Sequence, residues 1–89
     1  MTGHRFRVGD AVRISSKYDL AAGKLGRVGD PPLDIKRHQE THGLGKYRDH
    51  VRVDPSGALI YWIQFAPATH AGEAEASEIE EAALESVSP

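Results

Sequence analysis

Apolar and polar residues alternate along the first third of the chain. The apolar positions of its first segment are Phe6, Val8, Val12 and Ile14. Arginines and a Gly9-Asp10 corner separate them, and residues two apart lie on one face of a strand, so the pattern predicts strands with one buried face. Gly23 and Gly26 lie just before Val28, and a glycine within a strand commonly marks a bulge or a close backbone approach. Two bent strands are therefore expected between residues 6 and 28.

The most apolar segment of the chain runs from Ala58 to Phe65. It follows the turn sequence Asp54-Pro55-Ser56-Gly57 and a shorter alternating stretch around Val51 and Val53. These segments predict an antiparallel hairpin.

The two faces of the second hairpin strand differ in size. The larger apolar set, expected to face the core, is Leu59, Tyr61, Ile63 and Phe65. The opposite set is Ala58, Ile60, Trp62 and Gln64. Trp62 is therefore expected to point outward beside Ile60. An outward indole indicates either a partner surface or a cover formed by another part of the chain.

Residues 30–50 form the segment with the weakest pattern. Asp30 before Pro31-Pro32 is placed to cap a helix, and Gly43 to end it. Only Leu33 and Ile35 are apolar between them, so such a helix has almost no face to bury. We expect a long inserted loop with one or two helical turns. Unstructured loops of this length are uncommon in compact domains and are often functional or disordered.

The glycine-containing patterns resemble the opening of small SH3-like barrels. The matching stretches are Val8-Gly9-Asp10-x-Val12-Arg13-Ile14 and Gly23-Lys24-x-Gly26-Arg27-Val28, with a later Tyr61-x-Ile63-x-Phe65 and an acidic stretch ending at Leu84. Similar barrels occur in a small accessory protein of photosystem I, the variable chain of ferredoxin-thioredoxin reductase and the β chain of nitrile hydratase. The first stretches are also similar to the KOW motif of ribosomal and transcription proteins. The resemblance implies an all-β, SH3-like open barrel of about five strands.

The C-terminal part allows two interpretations. Residues 66–76 are small and predict a loop, and Ser77-Glu78-Ile79-Glu80 fits a helix capping box. The resemblance instead favours a short strand reaching Ile79 and a helical turn that places Leu84. Both interpretations make Ile79 and Leu84 the apolar anchors, and residues 86–89 are expected to fray.

Composition bounds the class of protein. The 89 residues predict one domain, 1–89, with a modest core. The absence of cysteine excludes disulfides and thiolate chemistry. No apolar run approaches the ~20 residues of a membrane span, and the first ten residues lack the apolar middle of a secretory signal. We expect a cytoplasmic protein that does not bind membranes.

Charge is distributed unevenly. All eleven Lys and Arg lie between Arg5 and Arg52, and residues 1–54 together contain seven acidic residues, which leaves this part a formal charge of +4. From Pro55 onward there are six Glu and no Lys or Arg, a charge of −6. This asymmetry is typical either of a basic binding face with an acidic tail or of an acidic segment that is solvated or lies against the basic body.

Catalytic and metal sites are not indicated. His38 and His42 have helical i, i+4 spacing, with His50 a third candidate ligand, but the Glu of a metalloprotease motif is misplaced. Ser15, Ser16, Asp19 and His4 supply catalytic residue types without any fixed geometry. Gly23-x-x-Gly26 lacks the Lys-Ser/Thr of a phosphate loop. We therefore predict no enzyme, no metal site and no cofactor.

A protein-binding role is the preferred functional hypothesis. Outward arginines and aromatic residues are enriched at interfaces. Tyr18 in the first long loop is either a partner contact or a lid over the barrel end, and the lid is favoured. The candidate partner-binding residues are Trp62, Ile60, Tyr18, Arg13, Arg27 and Arg52. The resemblance implies a non-catalytic accessory or adaptor module beside an electron-transfer or metalloenzyme partner.

The alternative is a nucleic-acid-binding module of the KOW or SH3-like type. Its cations would contact phosphates while Trp62 stacks on bases. The outward cations available for this are Arg5, Arg7, Arg13, Lys24, Arg27 and Arg52. The pI of about 6.2 argues against this alternative.

Overall fold

Seven antiparallel strands form one sheet in the computed structural model, which describes residues 6–18, 22–65 and 76–87. The strands are β1 (Ala11–Ile14), β2 (Leu25–Gly29), β3 (Tyr47–Arg48), β4 (Val51–Val53), β5 (Leu59–Phe65), β6 (Ala76–Glu80) and β7 (Leu84–Ser86). Helix α1 (Leu33–Thr41) and a 3-10 turn (Glu81–Ala83) complete the elements. The prediction of an all-β fold with a short C-terminal helical turn is confirmed.

Strand β5 is the centre of the sheet. Along one edge, residues 60–64 of β5 pair with β6, from Ile60↔Glu80 to Gln64↔Ala76. The other edge is shared, because β4 pairs with residues 59–61 and β2 pairs with residues 62–65. Beyond β2 the order continues to β1 and then β7. Among the described strands β6 and β7 do not pair with each other, so the sheet is compatible with the predicted open barrel but is not closed.

The strand count differs from the prediction of about five. The additional strands are β3 and β7, which contain two and three residues. Such short segments have no hydrophobic period of their own, and they are strands because a longer neighbour pairs with them.

The core lies on one face of the sheet, as predicted. Tyr61 and Ile63 are fully buried and Phe65 nearly so, whereas Leu59 is half-buried and packs against the edge of the core cluster. The other buried members of the cluster are Phe6, Val12, Ile14, Val28, Val51, Ile79, Ala83 and Leu84. The expected β4–β5 hairpin is present, and its turn is closed by the Asp54 carboxylate, which accepts the backbone N–H groups of Ser56 and Ala58.

Val8 does not lie on a buried strand face, although the alternation of apolar residues in the first segment predicted that it would. It is exposed, because Arg7–Asp10 form a tight turn and β1 begins only at Ala11. The Asp10 carboxylate accepts the Arg7 N–H at 2.9 Å, while the Asp10 N–H donates to the Arg7 carbonyl. A self-bonded turn of this kind interrupts the strand alternation.

The insertion contains a longer helix than predicted. Helix α1 has nine residues and no buried side chain. Pro32 precedes its first turn without a side-chain cap, so the expected cap by Asp30 is wrong; the Asp30 carboxylate instead lies 3.0 Å from the Lys36 ammonium. Gly43 follows the helix end with φ of 71°, in agreement with the predicted stop.

The C-terminal segment forms a strand and a turn. Ser77 and Glu78 pair with Ile63 and Trp62 across β5, so the capping-box helix is wrong. Ile79 is fully buried and Leu84 nearly so, as both interpretations required. Of the loop expected at 66–76, residues 66–75 lie outside the described residues. Of the tail expected to fray at 86–89, the structure describes only residues 86 and 87. No helix in the described part of the chain has the length and apolar character needed to cross a membrane.

Candidate interaction surface

The strand register determines which side chains share the outer face, opposite the core. Directly paired residues lie side by side on one face of an antiparallel sheet. The register therefore gives four neighbouring rows across the sheet. They are Arg13–Leu25, Ala11–Arg27–Gln64, Gly29–Trp62–Glu78 and Arg52–Ile60–Glu80. The first two rows are largely exposed and the last two are largely covered.

The exposed rows combine cations with an apolar side chain. Leu25 is 54% exposed, and it lies opposite Arg13 in the strand pair and two residues before Arg27 on β2. The Arg13 Nε lies 3.4 Å from the Glu85 carboxylate in a half-exposed ion pair. Arg27 donates to the Gly9 carbonyl at 3.0 Å. An exposed ion pair such as Arg13–Glu85 contributes about 0–1 kcal/mol, so the Arg13 guanidinium stays available to other ligands.

A groove opens where β1, β2 and the end of β5 meet. Its volume is about 420 Å³. The lining residues are Ala11, Val12, Leu25, Gly26, Arg27, Gln64, Phe65 and Val87. Beside it the Lys24 ammonium lies 5.6 Å from the centroid of the Phe65 ring, within the range of a cation–π contact. We call this feature the β1–β2 groove.

Gly26 forms part of the floor of the groove. A Cβ at this position would lie 2.8 Å from both the Gln64 carbonyl oxygen and the Ile63 side chain. Only glycine therefore allows β2 to approach β5 this closely. The glycine that suggested a close backbone approach in the sequence is thus the residue that shapes the groove.

The covered rows contain a network centred on Glu78. Its carboxylate lies 2.7 Å from Arg52 Nε and accepts hydrogen bonds from the Tyr47 hydroxyl and the Gln39 amide. Arg52 also donates to the Leu44 carbonyl. Four separate parts of the chain, β6, β4, β3 and the segment around α1, meet in this Glu78 network.

The ionisation of the network follows from these contacts. Burial alone would raise the pKa of Glu78, but the hydrogen bonds from Arg52 and Tyr47 outweigh it and hold that pKa below its ordinary value. Burial and the adjacent Glu78 carboxylate raise the pKa of Tyr47 well above its ordinary value. Burial opposes the charge of Arg52, yet Glu78 raises its pKa overall. The network is therefore a buried ion pair with a neutral tyrosine donor.

Two of the predicted surface residues are not exposed. Ile60 is 8% exposed and Arg52 is 9% exposed, so the expectation that they lie on the surface beside Trp62 is wrong. Arg52 and Glu78 approach each other across β5 on the same face as Ile60, and Gln39 and Leu44 join them from the insertion. Trp62 lies on the outer face as predicted, but it is half-buried between Gly29 and Glu78.

The remaining candidates are separated in space. Arg13 and Arg27 lie together on the exposed rows, as expected. Tyr18 is half-buried and packs against the core cluster, in agreement with the lid interpretation. Its N–H donates to the Ser15 carbonyl at 3.0 Å, which closes a turn at this end of the barrel.

The histidines do not converge. The rings of His38 and His42 stack on α1 with centroids 4.1 Å apart. His50 is buried, and its Nε2 lies 2.8 Å from the Phe6 carbonyl oxygen. Residues 6–18, 22–65 and 76–87 contain no group of three or more His, Cys, Asp or Glu side chains placed to hold a metal ion. Two of the catalytic residue types noted above, His4 and Asp19, lie outside the described residues.

Comparison with known proteins found no match to this chain among protein-family models, curated proteins or solved structures. The resemblance to SH3-like accessory proteins stays a prediction.

The sequence alone did not identify Leu25, which lies in the exposed rows of the outer face, or Glu78, which is the centre of the network in the covered rows. Leu25 breaks the polar outward pattern of β2, and this irregularity was the available signal for an exposed apolar site. No comparable signal marked Glu78, because nothing in its own segment separates it from the five other glutamates after Pro55.

Proposed function

We propose that this chain is a non-catalytic adaptor that acts in the cytoplasm by docking on a larger protein through the exposed half of its outer face. The observation that carries the proposal is the β1–β2 groove, whose apolar lining includes exposed Leu25, with Arg13 opposite that residue and Arg27 two positions further along β2. An apolar patch rimmed by arginine is typical of a protein interface. The resemblance to accessory proteins supports an electron-transfer or metalloenzyme complex as the partner.

The arrangement supports a protein partner better than a nucleic acid. Arg52 is engaged by Glu78 and is removed from the set of cations that would contact phosphates. Trp62 is half-buried next to the same carboxylate, and a half-covered indole beside an acid is a poor platform for stacking bases. Among the other candidate cations, Arg27 lines the apolar groove and Arg13 lies opposite Leu25 of that lining, so these two cations adjoin an apolar surface rather than a strip of aromatic rings.

Affinity capture with a surface variant tests the proposal. The tagged full-length chain is compared with a double variant, Leu25→Ser with Arg27→Gln, in an extract of its source cells. We expect one partner or a small set of partners at near-stoichiometric yield with the native chain, reduced at least about fivefold by the double variant, since interface anchors contribute about 1 kcal/mol or more. Quantitative mass spectrometry gives the yields.

The matched control is Leu33→Ser with Arg48→Gln. It makes the same two chemical changes at exposed positions on α1 and β3. Retention of the partner by the control and its loss from the double variant support the proposal. Nuclease-sensitive capture, or elution from heparin with a steep salt dependence, would instead support the nucleic-acid alternative.

A further inference from the structure

We infer that the β1–β2 groove binds an acidic segment of the partner protein that carries one large apolar side chain. This inference rests on the proposed function and specifies the chemistry of its ligand. It follows from the lining of the groove, from the positive charges beside it and from the contact between the Glu85 carboxylate and Arg13.

The groove is built to bury an apolar group. Of the eight lining residues within the described part of the chain, five are apolar: Ala11, Val12, Leu25, Phe65 and Val87. Leu25 keeps 54% of its surface exposed, so an incoming apolar side chain would remove both its own surface and that of Leu25 from water. A volume of about 420 Å³ accommodates one or two large side chains rather than a folded element.

The charges around the groove favour an acidic ligand. Arg27 is the one charged residue among the described residues that line the groove, and Arg13 lies opposite Leu25 in the strand pair. Arg13 contacts the Glu85 carboxylate, whereas Arg27 donates to the uncharged Gly9 carbonyl and so keeps its positive charge at the rim. A local positive field around an apolar groove attracts acidic segments and disfavours basic ones.

The Arg13–Glu85 contact shows how an acidic ligand would be held. Glu85 belongs to β7, which pairs with β1, and its carboxylate reaches Arg13 from the neighbouring strand. The pair is half-exposed, so water and salt compete with it and an incoming carboxylate can share the guanidinium. An extended acidic ligand would place its carboxylates near Arg13 and Arg27 and its apolar side chain between them.

Three matched peptides test the ligand chemistry. The probe is a fluorescein-labelled peptide of about twelve residues containing Glu, Ser and Gly with one central Phe, and binding to the full-length chain is followed by fluorescence anisotropy. One control peptide replaces every Glu by Gln, and the other replaces Phe by Ser. We expect both controls to bind at least about fivefold more weakly than the probe, which follows if charge and the apolar anchor each contribute. Binding of the probe should weaken as salt increases.

Variants of the chain locate the site. Leu25→Ser and Arg27→Gln, tested separately, should each weaken probe binding at least about fivefold, whereas Leu33→Ser and Arg48→Gln should leave it unchanged. Both substituted positions of the first pair are exposed, so the variants should keep the thermal transition of the native chain. A probe that binds equally to all four variants overturns the inference.

Two other occupants of the groove are distinguishable. A second copy of the chain would give a concentration-dependent increase in mass that Leu25→Ser abolishes. The chain's own acidic residues at 66–75 would give tighter probe binding when Glu73 and Glu75 are both changed to Gln. Either result overturns the assignment to a partner protein.

The same data separate this inference from the proposed function. If the double variant loses its captured partner while none of the peptides binds, the ligand chemistry is wrong and the docking role stands. If neither the binding of the peptides nor the capture of any protein from the extract depends on Leu25 and Arg27, the docking role fails as well.

Discussion

Glu78 in β6 and Arg52 in β4 form a buried ion pair across the central strand, with 2.7 Å between the carboxylate and the guanidinium Nε. Because β6 and β4 lie on opposite edges of β5, the two side chains meet over that strand, on the face of Ile60. Tyr47 and Gln39 complete the contacts of the carboxylate. The insertion is therefore fastened to the sheet by polar contacts rather than by an apolar helix face.

Glu78→Gln should destabilise the chain by about 2–4 kcal/mol, because it leaves the buried Arg52 guanidinium without its counter-charge. Urea unfolding followed by the fluorescence of the single tryptophan, Trp62, measures the free energy of unfolding. The matched control is Glu85→Gln, which breaks the half-exposed pair with Arg13 and should cost less than about 1 kcal/mol. Equal losses from the two variants would contradict a special role for the Glu78 network.

Acid should weaken the folded state through the same carboxylate. The pKa of Glu78 is lower in the folded chain than in the unfolded chain, so its stabilising contribution is complete above the ordinary glutamate value of about 4.3. That contribution is lost as the pH falls through the lowered pKa of the folded state. We expect the difference in unfolding free energy between the native chain and Glu78→Gln to shrink between about pH 5 and pH 2. A difference that stays constant over this range would refute the assignment.

Alkali should act through Tyr47. Its pKa is raised in the folded chain, so its contribution is complete below the ordinary tyrosine value of about 10 and declines as the pH rises above it. Tyr47→Phe should cost about 1–2 kcal/mol at neutral pH, where it removes a hydrogen bond to a charged acceptor. The gap between native chain and variant should close above about pH 10. A stability difference for Tyr47→Phe that stays constant from neutral pH to above about pH 10 would contradict this account.

Gly45→Ala should be among the most damaging small substitutions in the chain. Gly45 has φ of 115°, and a Cβ there would lie 2.1 Å from the Val53 carbonyl oxygen. Relieving such an overlap requires a backbone shift between β3 and β4, for which we expect a loss of about 3 kcal/mol or more. Gly57→Ala has a similar positive φ with no atom within 4 Å of the new Cβ, so it should cost only about 1–2 kcal/mol. The thermal unfolding temperatures of the two variants separate the cost of backbone strain alone, in Gly57→Ala, from the cost of strain with a steric overlap, in Gly45→Ala.

The core face was predictable and the outer face was not, for a physical reason. Tyr61, Ile63 and Phe65 are two residues apart, and the period of a strand alone places them on one side. The contacts on the covered half of the outer face join Arg52, Glu78 and Gln39, which are distant in sequence and polar, so no hydrophobic period reveals them. The same applies to α1, whose nine residues bury no side chain.

The β1–β2 groove was also beyond reach of the sequence alone. Its lining comes from β1, β2, the end of β5 and Val87, and only the strand register brings these segments together. The glycine pattern did indicate a close backbone approach at Gly26, which is the local part of that geometry. A local requirement of the backbone, such as the glycine at position 26, can therefore be predicted from the sequence. A surface assembled from several strands cannot.

The division of one edge of β5 between β4 and β2 limits how the chain can be shortened. Strand β2 reaches only as far as Trp62, and β4 completes the hydrogen bonding from Tyr61 to Leu59. A truncated chain in which residues 30–53 are replaced by a short linker would leave this half of the edge unsatisfied. Bare strand edges recruit strands from other molecules, so such a trimmed protein should polymerise rather than persist as a smaller barrel.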